Sequence, residues 1–544
     1  MTKFIFVTGG VLSSLGKGTI VASIGRILKN AGVKVSAMKI DPYLNCDAGT
    51  LNPYEHGEVF VTRDGFECDL DLGNYERFLD IFATKEQNMM MGSVYRAVVE
   101  KERKGEFLGT TVQLIPHATN EIKKRIRHAA EVTKCEVLVV EVGGTVGDIE
   151  SDVVFEAARQ MRFENGESPS VLFVHLALVP RITTNEHKTK PMQHSVKALL
   201  SRGITPDILI ARSDSMISEG VKKKIALMCN VHADSVFCSY NVDNIYRIPE
   251  ILKGQGLKEN LAKKLELKLR QDVKDDWHAL LSKWDSSKTN RKIAVVGKYA
   301  QTTKDTYMSV FEALRHAAVH AGVKAQLDLV NSEDVEKNLV DLRQYHGFLI
   351  PGGYGSRGTE GKISVIKYAR ENNIPVLGIC YGLQLSVIEY SRHVLGLKGA
   401  NSTEIDPQTR YPVIDLLPEQ TTIEEKGGTM RLGAYDVKIV KGTNAYKLYE
   451  EEMETESMKP GVKNSKSDIV FKRFRHRYEV NPNYVEQLEK AGMIFSGKDP
   501  KREIMKVIEL PKHRFFMGCQ YHPEFDSRLE RPEPLYLAFV KATA

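Results

Sequence analysis

The stretch FIFVTGGVLSSLGKGTIVASIGRILKNAGVKVSAMKI, residues 4–40, contains the structural unit on which the fold prediction rests. It begins with a short apolar run, Phe4–Val7, continues through a loop rich in Gly and Ser, and ends in a second apolar run, Val33–Ile40. The segment between them has four apolar residues on one helical face: Ile20, Ile24, Ile27 and Leu28. Continuous apolar strands joined through a helix are typical of a buried parallel sheet. The stretch therefore predicts an α/β fold.

The same pattern recurs in two series. Strand candidates of the first series are Glu136–Val142, Val171–Leu178 and Asp207–Ile210. The second series has a helix from about Asp305 and strand candidates at Ile293–Val296, Ala325–Val330, Gly347–Ile350 and Pro375–Ile379. Between the series, charged residues alternate with a few apolar ones, which favours a domain linker over a surface helix and loop within one large domain. We predict two tandem three-layer α/β domains, residues 1–265 and 292–544, joined by a linker at 266–291.

Length and charge limit the class of protein. A chain of 544 residues is too long for a single hydrophobic core. Its 76 basic and 70 acidic side chains nearly balance, which argues against a protein dedicated to nucleic-acid binding. One segment differs in composition, because residues 450–468 are rich first in Glu and then in Pro, Gly, Asn, Ser and Lys. We expect that segment to be a mobile surface insertion that buries no core.

Cysteine usage and hydrophobicity predict the compartment. The seven cysteines are scattered, without a C-x-x-C pair, which fits a reducing compartment and excludes the usual zinc spacings. No apolar run approaches the roughly 18 residues that a membrane helix needs. The first residues do not resemble a signal peptide. We therefore expect a soluble, cytoplasmic protein with no membrane partner.

The loop Thr8–Thr19 is a candidate phosphate-binding loop. It lies between the first predicted strand and helix, where backbone N–H groups can face a polyphosphate and Lys17 can neutralise its charge. Five residues rather than four separate Gly10 from Gly16, so the strict P-loop spacing is missed. Hydroxyl groups flank the lysine, at Ser13, Ser14 and Thr19. The position of the loop favours phosphate binding over a purely structural turn.

Two carboxylates are candidate Mg²⁺ ligands for a nucleoside triphosphate. Asp71 lies in the sequence DLDLG, and Glu141 ends an apolar strand just before Gly143. A carboxylate in such a place is costly unless it is paired or bound to a metal. For either residue taken singly, a salt bridge or a helix cap is the competing interpretation. The run Lys188–Gln193 also has two interpretations. It can be a solvated surface or part of a second triphosphate site.

A cysteine stands in a strand–turn–helix arrangement further along the chain. The sequence GICYG around Cys380 follows an apolar strand, as in a nucleophile elbow with Cys in place of Ser. The start of a helix favours the thiolate form of such a residue. The N–H groups of Gly353 and Tyr381 can form an oxyanion hole, in which one donor is worth about 3 kcal/mol.

A base and its orienting carboxylate follow near the end of the chain, in the sequence QYHPE. His522 and Glu524 would point the same way if Pro523 keeps the segment extended. Cys380, His522 and Glu524 would then form a triad. A lone Cys or His is usually structural, but the combination makes coincidence improbable. A cysteine that cleaves an amide, in one chain with a triphosphate site, implies that ammonia is released and then installed at the cost of ATP.

The sequence resembles the CTP synthase family over essentially its whole length. The resemblance implies a P-loop (Rossmann-like) synthetase domain followed by a class I glutamine amidotransferase domain. The stretches that carry it are Phe6–Gly18, Lys39–Tyr43, His56–Val61, Asp69–Gly73, Gly143–Glu150, Lys188–Gln193, Asn401–Glu404, Gly427–Gly433 and His476–Val480.

The resemblance also implies a role for each site residue. Mg²⁺ would be held by Asp71 and Glu141. ATP would contact Ser14, Leu15, Gly16, Lys17, Gly18, Thr19, Lys39, Asp71, Tyr240, Asn241 and Val242. The substrate UTP and the feedback inhibitor CTP would share Ser13, Asp148, Ile149, Glu150, Lys188, Thr189, Lys190, Pro191, Met192, Gln193 and Lys224. Glutamine would lie against Gly353, Tyr381, Gly382, Leu383, Gln384, Glu404 and Arg477, beside the catalytic Cys380, His522 and Glu524.

The family's reaction supplies further expectations. ATP would phosphorylate O4 of UTP to give 4-phospho-UTP, and ammonia would displace the phosphate to give CTP in pyrimidine biosynthesis. GTP would activate the glutaminase, and Lys104–Gly109 resembles the family's lid loop. The assembly implied is a homotetramer, with stacking into filaments as a further option.

Three residues depart from the family pattern, and two other functions compete. Met192 replaces a usual Thr, so nucleotide affinity or CTP inhibition can differ, while Tyr381 and Tyr354 replace a usual Leu and Phe without touching a reacting atom.

One competing function is another ATP-dependent amidotransferase that aminates a carboxylate, which need not have Lys188–Gln193. The other is a non-catalytic assembly protein with this fold, which the complete set of catalytic residues disfavours.

Overall fold

The computed structural model of the chain describes residues 2–13, 15–52, 56–164, 170–182, 186–270, 276–298, 304–416, 430–457 and 468–544. Contacts between residues group the chain into two compact units. The first unit comprises residues 1–48 and 71–281, and the second comprises residues 49–70 and 282–544. Ser14 and residues 427–429 of the family motifs lie outside the described residues, as do residues 458–467 of the predicted insertion.

The part of the chain up to residue 286 alternates strands and helices. Its strands are β1 (Lys3–Gly10), β2 (Val35–Asp41), β3 (Phe60–Val61), β4 (Glu67–Cys68), β5 (Asn88–Met90), β6 (Val137–Val142), β7 (Val171–Leu178), β8 (Ile208–Ser213) and β9 (Val236–Tyr240). Its helices are α1 (Lys17–Asn30), α2 (Asp71–Leu79), α3 (Met91–Arg103), α4 (Thr119–Thr133), α5 (Asp152–Glu164), α6 (Lys190–Leu200), α7 (Glu219–Cys229), α8 (Ile248–Gly254), α9 (Leu257–Leu265) and α10 (Trp277–Ser286).

The first unit is built on a seven-stranded sheet in the order β5-β2-β6-β1-β7-β8-β9. All its neighbouring strands are parallel. The side chains of β1 are buried on both faces, since Phe4 and Phe6 join one apolar cluster while Ile5 and Val7 are also fully buried. The predicted parallel sheet is therefore confirmed. Because parallel strands end at one edge, the segments after β1, β2 and β6 lie together there.

The second unit has a longer list of strands. After the hairpin β3–β4, its strands are β10 (Thr289–Gly297), β11 (Val323–Asn331), β12 (Gly347–Ile350), β13 (Val376–Ile379), β14 (Asn401–Ser402), β15 (Pro412–Leu416), β16 (Arg431–Ile439), β17 (Ile469–His476), β18 (Tyr478–Val480), β19 (Ile494–Lys498), β20 (Met505–Glu509) and β21 (Phe516–Cys519). Its helices are α11 (Met308–Ala321), α12 (Ser332–Glu336), α13 (Thr359–Glu371), α14 (Tyr381–His393), α15 (Asn444–Ser457), α16 (Val485–Lys490) and α17 (Pro534–Thr543).

A nine-stranded sheet forms the centre of the second unit, in the order β11-β10-β12-β13-β21-β20-β19-β16-β17. The strands from β11 to β21 are parallel, and those from β21 to β17 are antiparallel. Successive residues of β10 enter two separate apolar clusters, Ile293 and Val295 on one face and Ala294 and Val296 on the other. Helices cover both faces, so this unit has the predicted three layers.

The observed division of the chain differs from the predicted domain boundaries in two places. Residues 49–70, inside the predicted first domain, pack with the second unit. Part of the predicted linker is helix α10, whose Trp277 is fully buried and donates a hydrogen bond of 2.8 Å from Nε1 to the carbonyl of Tyr246. The Arg26 guanidinium lies 4.1 Å from the centroid of that indole ring. The linker therefore contributes to the core of the first unit.

The expectation for residues 450–468 is wrong over its first part. Residues 450–457 belong to helix α15. Met453 is buried in the apolar cluster of the second unit, and Glu452 lies 2.8 Å from Nζ of the fully buried Lys472. A run of glutamates can form a helix that packs on one side, because only every third or fourth residue must be apolar.

Across the described residues, no helix combines the length and apolar character needed to span a bilayer.

Candidate active sites

Cys380 occupies a sharp turn between β13 and α14. Its backbone has φ 52° and ψ −102°, which an L-residue adopts only when its surroundings enforce it. The Cys380 N–H donates a 2.7 Å hydrogen bond to the carbonyl of Cys519 on β21. A Cβ at Gly382 would lie 2.1 Å from the carbonyl oxygen of Ile350, so only glycine allows the helix to start so close to β12. The predicted nucleophile elbow is present with its strain.

His522 and Glu524 lie beside this turn as a hydrogen-bonded pair. Nδ1 of His522 is 2.7 Å from Oε1 of Glu524, and both side chains are buried. Burial alone would lower the pKa of His522, but the charges of Glu524 and Cys380 raise it to about 10. The imidazole of His522 therefore carries its second proton at neutral pH. A Cβ at Gly352 would lie 2.9 Å from Cε1 of His522, so the glycine leaves room for the ring.

The sulfur of Cys380 has two polar neighbours besides the histidine. It lies 3.7 Å from the carbonyl oxygen of Arg475 and 3.5 Å from Nε2 of Gln520. Nε2 of His522 is buried and has no hydrogen-bond partner within the part of the chain that the structure describes. The thiol donates to the carbonyl of Arg475. Neither Arg475 nor Gln520 was among the predicted site residues.

The loop that carries Gly353 is braced by the side chain of Tyr381, a residue for which the sequence predicts only a backbone role. The hydroxyl of Tyr381 donates a 2.6 Å hydrogen bond to the carbonyl of Gly355 and lies 3.0 Å from Oγ1 of Thr359. The N–H of Gly355 donates to Oε1 of Glu404 at 2.9 Å. The oxyanion loop is therefore fixed from two sides. The signal in the sequence was the departure itself, a Tyr where the family usually has Leu.

Two of the predicted glutamine-binding residues, Glu404 and Arg477, lie near this loop. Burial raises the pKa of the Glu404 carboxyl, while the N–H of Gly355 and the charges of Lys298 and Arg477 oppose that shift. Burial also lowers the pKa of Lys298 to about 8, and its ammonium lies 3.9 Å from the ring centroid of Tyr354. Opposite charges at Glu404 and Arg477 suit the ammonium and carboxylate groups of an amino acid.

A segment far away in the sequence completes the surroundings of the nucleophile. The hairpin β3–β4 places Glu67 2.7 Å from Nε of Arg475, the residue whose carbonyl faces Cys380. Nη1 of the neighbouring Arg473 donates a 2.9 Å hydrogen bond to the carbonyl of Val61. Both contacts lie within the second unit. No periodicity in the sequence links these positions, so sequence reasoning missed them.

In the first unit, Lys17 opens α1 at the carboxyl edge of the parallel sheet. Its Nζ donates a 2.6 Å hydrogen bond to the carbonyl of Gly144, and burial lowers its pKa, with Glu141 opposing that effect. A Cβ at Gly18 would lie 1.9 Å from Oδ1 of Asp71, so this glycine admits the carboxylate to the helix start. The predicted loop, lysine and carboxylates thus converge.

Lys39 stands among three carboxylates at the ends of β2 and β6. Its ammonium forms an ion pair with Asp71 and lies 3.9 Å from Glu141 and 3.7 Å from Asp41. Burial raises the pKa of Glu141 to about 8, and the charge of Asp71 adds to that shift. The hydroxyl of Tyr75 donates to Glu141. The carboxylates of Asp41, Asp71 and Glu141 are oxygen donors of the kind that a hard cation such as Mg²⁺ prefers. Asp41 was not predicted.

A buried histidine links the phosphate loop to helix α6. Nδ1 of His175 lies 2.8 Å from Oγ1 of Thr8, and Nε2 lies 2.7 Å from Oγ of Ser195. Burial and the charge of Lys17 lower the pKa of His175 to about 3, so the ring is neutral. A Cβ at Gly10 would lie 1.6 Å from Oγ of Ser195. These residues were not predicted as part of the site.

Some of the residues predicted to bind UTP and CTP meet at a cavity. It has a volume of about 500 Å³ and is lined by Val11, Val146, Lys190, Pro191, His194, Ser195 and Ala198. Beside it, Nε2 of Gln193 donates a 2.9 Å hydrogen bond to Oγ1 of Thr189. Met192 is fully buried in an apolar cluster with residues such as Val196. The hydroxyl lost at Met192 is therefore replaced by a core side chain.

The other predicted nucleotide contacts are spread around the same edge. Oδ2 of Asp148 accepts hydrogen bonds of 2.6 Å from both the N–H and the hydroxyl of Thr145. Lys188 pairs with Glu186 at 2.5 Å. Ser13, Ile149, Glu150 and Lys224 are exposed, Ile149 to 83%. Tyr240 ends β9, and Asn241 and Val242 follow it; Oδ1 of Asn241 accepts a 2.7 Å hydrogen bond from Arg212. In the lid-like segment Lys104–Gly109, Leu108 is 93% exposed.

Comparisons with known proteins identify the family of the chain. Residues 3–267 match the family described as CTP synthase N-terminus, and residues 302–542 match Glutamine amidotransferase class-I. A CTP synthase of Pyrococcus abyssi is 52% identical over 546 residues, which cover 100% of this chain and 98% of the relative. A CTP synthase of Pyrococcus furiosus is 53% identical with the same coverage, and one of Methanosarcina acetivorans is 49% identical over 544 residues, 99% of this chain and 98% of the relative. The chain belongs to the CTP synthase family, whose members are glutamine-hydrolysing ligases.

Proposed function

We propose that the second unit releases ammonia from glutamine through Cys380, His522 and Glu524, and that the first unit uses ATP and Mg²⁺ to aminate UTP with it. The observation that carries the proposal is the buried His522–Glu524 pair beside a cysteine in a strained elbow. A protonated histidine next to a thiol is the arrangement that generates a nucleophile at neutral pH.

In the glutaminase reaction, the thiolate of Cys380 attacks the carboxamide carbon and forms a C–S bond. The N–H groups of Gly353 and Tyr381 accommodate the negative oxygen. His522 gives its proton to the leaving nitrogen as the C–N bond breaks, which releases ammonia and leaves a thioester. A water molecule then returns a proton to His522 and attacks the thioester, which releases glutamate and restores the thiolate. Glu524 keeps the imidazole in place throughout.

In the synthetase reaction, the loop around Lys17 holds the phosphates of ATP, and Lys39 lies beside the group that is transferred. Asp71 and Glu141 would hold Mg²⁺, which neutralises phosphate charge when bound. The γ-phosphoryl group passes to O4 of UTP, giving 4-phospho-UTP and ADP. Ammonia then attacks C4 and displaces inorganic phosphate, with loss of a proton. The remaining predicted ATP contacts are Leu15, Gly16, Gly18, Thr19, Tyr240, Asn241 and Val242.

UTP and the inhibitor CTP share the region of the cavity beside Lys190 and Pro191. The ammonium of Lys190 and the nearby loop suit a second triphosphate. GTP activates the glutaminase, and the exposed segment Lys104–Gly109 is the proposed lid. The assembly is a homotetramer. These regulatory and assembly properties rest on membership of the family and on the motifs quoted above.

The test is CTP formation from UTP, ATP and Mg²⁺ with either glutamine or ammonium, in the wild type and in Cys380→Ala. We expect the wild type to use both nitrogen sources and the variant to use only ammonium. Formation of CTP from glutamine by Cys380→Ala would overturn the assignment of the nucleophile. Failure of the wild type with both sources, with and without GTP, would overturn the substrate assignment.

A further inference from the structure

Gln520 is a buried polar residue that the mechanism above does not use. Its side chain is fully buried, one residue beyond strand β21 and two before His522. Nε2 of its amide lies 3.5 Å from the sulfur of Cys380, within hydrogen-bonding distance for sulfur. Its backbone N–H donates a 2.9 Å hydrogen bond to the carbonyl of Lys506, so the residue is held from the neighbouring strand β20.

The orientation of this amide follows from its second contact. Oε1 of Gln520 accepts a 3.3 Å hydrogen bond from Nε2 of Gln384, and the same Nε2 donates at 2.8 Å to the carbonyl of Tyr478. The carbonyl can only accept, so the NH₂ group of Gln384 must face it. If the amide of Gln520 were reversed, two NH₂ groups would face each other. The NH₂ group of Gln520 is therefore the end that faces the sulfur.

The two polar neighbours of the sulfur act in opposite directions on its ionisation. The carbonyl of Arg475, at 3.7 Å, accepts a hydrogen bond from the thiol but repels a thiolate. The amide of Gln520 can only donate to sulfur, and a donor binds a negative sulfur more strongly than a neutral one. On deprotonation the first contact is lost and the second becomes stronger.

We propose that Gln520 is a further catalytic residue of the glutaminase, whose amide stabilises the Cys380 thiolate by a direct hydrogen bond and holds the sulfur for attack. The inference rests on the proposed function, since it requires Cys380 to be the nucleophile. It also gives Gln384 a second task. Besides lying in the glutamine-binding region, Gln384 positions the amide of Gln520 by donating to its oxygen.

The test compares the wild type with Gln520→Met, which has a similar length and no donor, and with Gln520→Glu, which has the same shape and a carboxyl group. The rate of alkylation of Cys380 by iodoacetamide is measured against pH in the full chain, with Cys380→Ala used to subtract the other cysteines. We expect the thiolate fraction at neutral pH to fall roughly tenfold in Gln520→Met, as for loss of a hydrogen bond to a charged group. The kcat of glutamine hydrolysis should fall in proportion.

In Gln520→Glu the carboxylate faces the sulfur, so the alkylation profile should shift further towards high pH than in Gln520→Met. Ser391→Ala is the matched control, because Ser391 is buried in the same unit and its hydroxyl donates to the carbonyl of Val387 in its own helix. It should leave the alkylation profile unchanged. Thermal unfolding of each variant checks that the unit is folded.

An alkylation profile that stays at its wild-type position in both Gln520 variants would overturn the inference, whatever happens to glutamine hydrolysis. That result is distinguishable from failure of the proposed function. If the wild type reacts with iodoacetamide no faster than Cys380→Ala, or if Cys380→Ala hydrolyses glutamine, the nucleophile itself has been misassigned.

Discussion

Replacing Tyr381 with Phe should slow glutamine hydrolysis although it leaves the triad intact. The change removes the hydroxyl that donates to the carbonyl of Gly355 at 2.6 Å and lies 3.0 Å from Oγ1 of Thr359. Each lost hydrogen bond is worth about 1 kcal/mol, so the change removes about 2 kcal/mol of stabilisation from the loop. A whole oxyanion donor is worth about 3 kcal/mol, which sets the upper limit.

We therefore expect the kcat of glutamine hydrolysis to fall about tenfold, equivalent to about 1.4 kcal/mol, with a smaller change in KM. Ammonium-dependent CTP formation should stay at the wild-type rate, because the change is confined to the oxyanion loop. The assay is glutamate release under saturating glutamine, with and without GTP.

Tyr390→Phe is the matched control. Tyr390 lies on the same helix, and its hydroxyl donates to the carbonyl of Ala491 at 2.7 Å, away from the loop. It removes a similar hydrogen bond without touching Gly355. If both variants lose the same activity, the effect is one of general stability and the argument for the oxyanion loop is refuted. It is refuted equally if Tyr381→Phe hydrolyses glutamine at the wild-type rate.

Three further predictions concern charged groups. Glu67→Gln weakens the ion pair with Arg475, whose side chain is 25% exposed. We expect the second unit to lose about 1 kcal/mol of stability and the glutaminase kcat to fall several-fold. Unchanged values in both assays would contradict this. The pKa of His522 is raised from 6.5 to about 10, so its stabilising contribution is complete below about pH 6.5 and is lost as the pH rises through 10. The unfolding temperature of the second unit should fall across that range, and Glu524→Gln should flatten the dependence; an equal slope in the variant would count against the pair. Lys39→Met removes the ammonium among three carboxylates, so ammonium-dependent CTP formation should fall at least a hundredfold, and wild-type rates with ATP would exclude a role for this lysine.

The sequence predicts those parts of the fold and site whose signal is local. The loop before Lys17 and the elbow at Cys380 each consist of a strand, a glycine-rich turn and a helix within about a dozen residues, so composition and spacing suffice. The pairing of His522 with Glu524 could be predicted for the same reason, because the two residues are two positions apart in the sequence. The resemblance to a family supplied the substrates, which residue spacing alone does not specify.

The parts that the sequence missed depend on contacts between distant positions. Trp277 is buried by residues that precede it by 31 positions or more, and its surroundings in the sequence are charged, which is typical of a linker. His175 lies in an apolar strand and shows no motif, yet it joins Thr8 to Ser195. The hydroxyl of Tyr381 acts through a carbonyl 26 residues earlier, which only the folded chain brings close. Tertiary packing decides such cases.

The place of residues 49–70 has a consequence for how such a chain can evolve. These residues are encoded between two parts of the first unit but contribute Glu67 and Val61 to the second, and Asp71 follows directly after them. A chimera made by one exchange of gene segments near residue 282 would thus take the hairpin β3–β4 from one parent and the rest of the second unit from the other. A functional chimera therefore needs the hairpin to come from the same parent as its glutaminase.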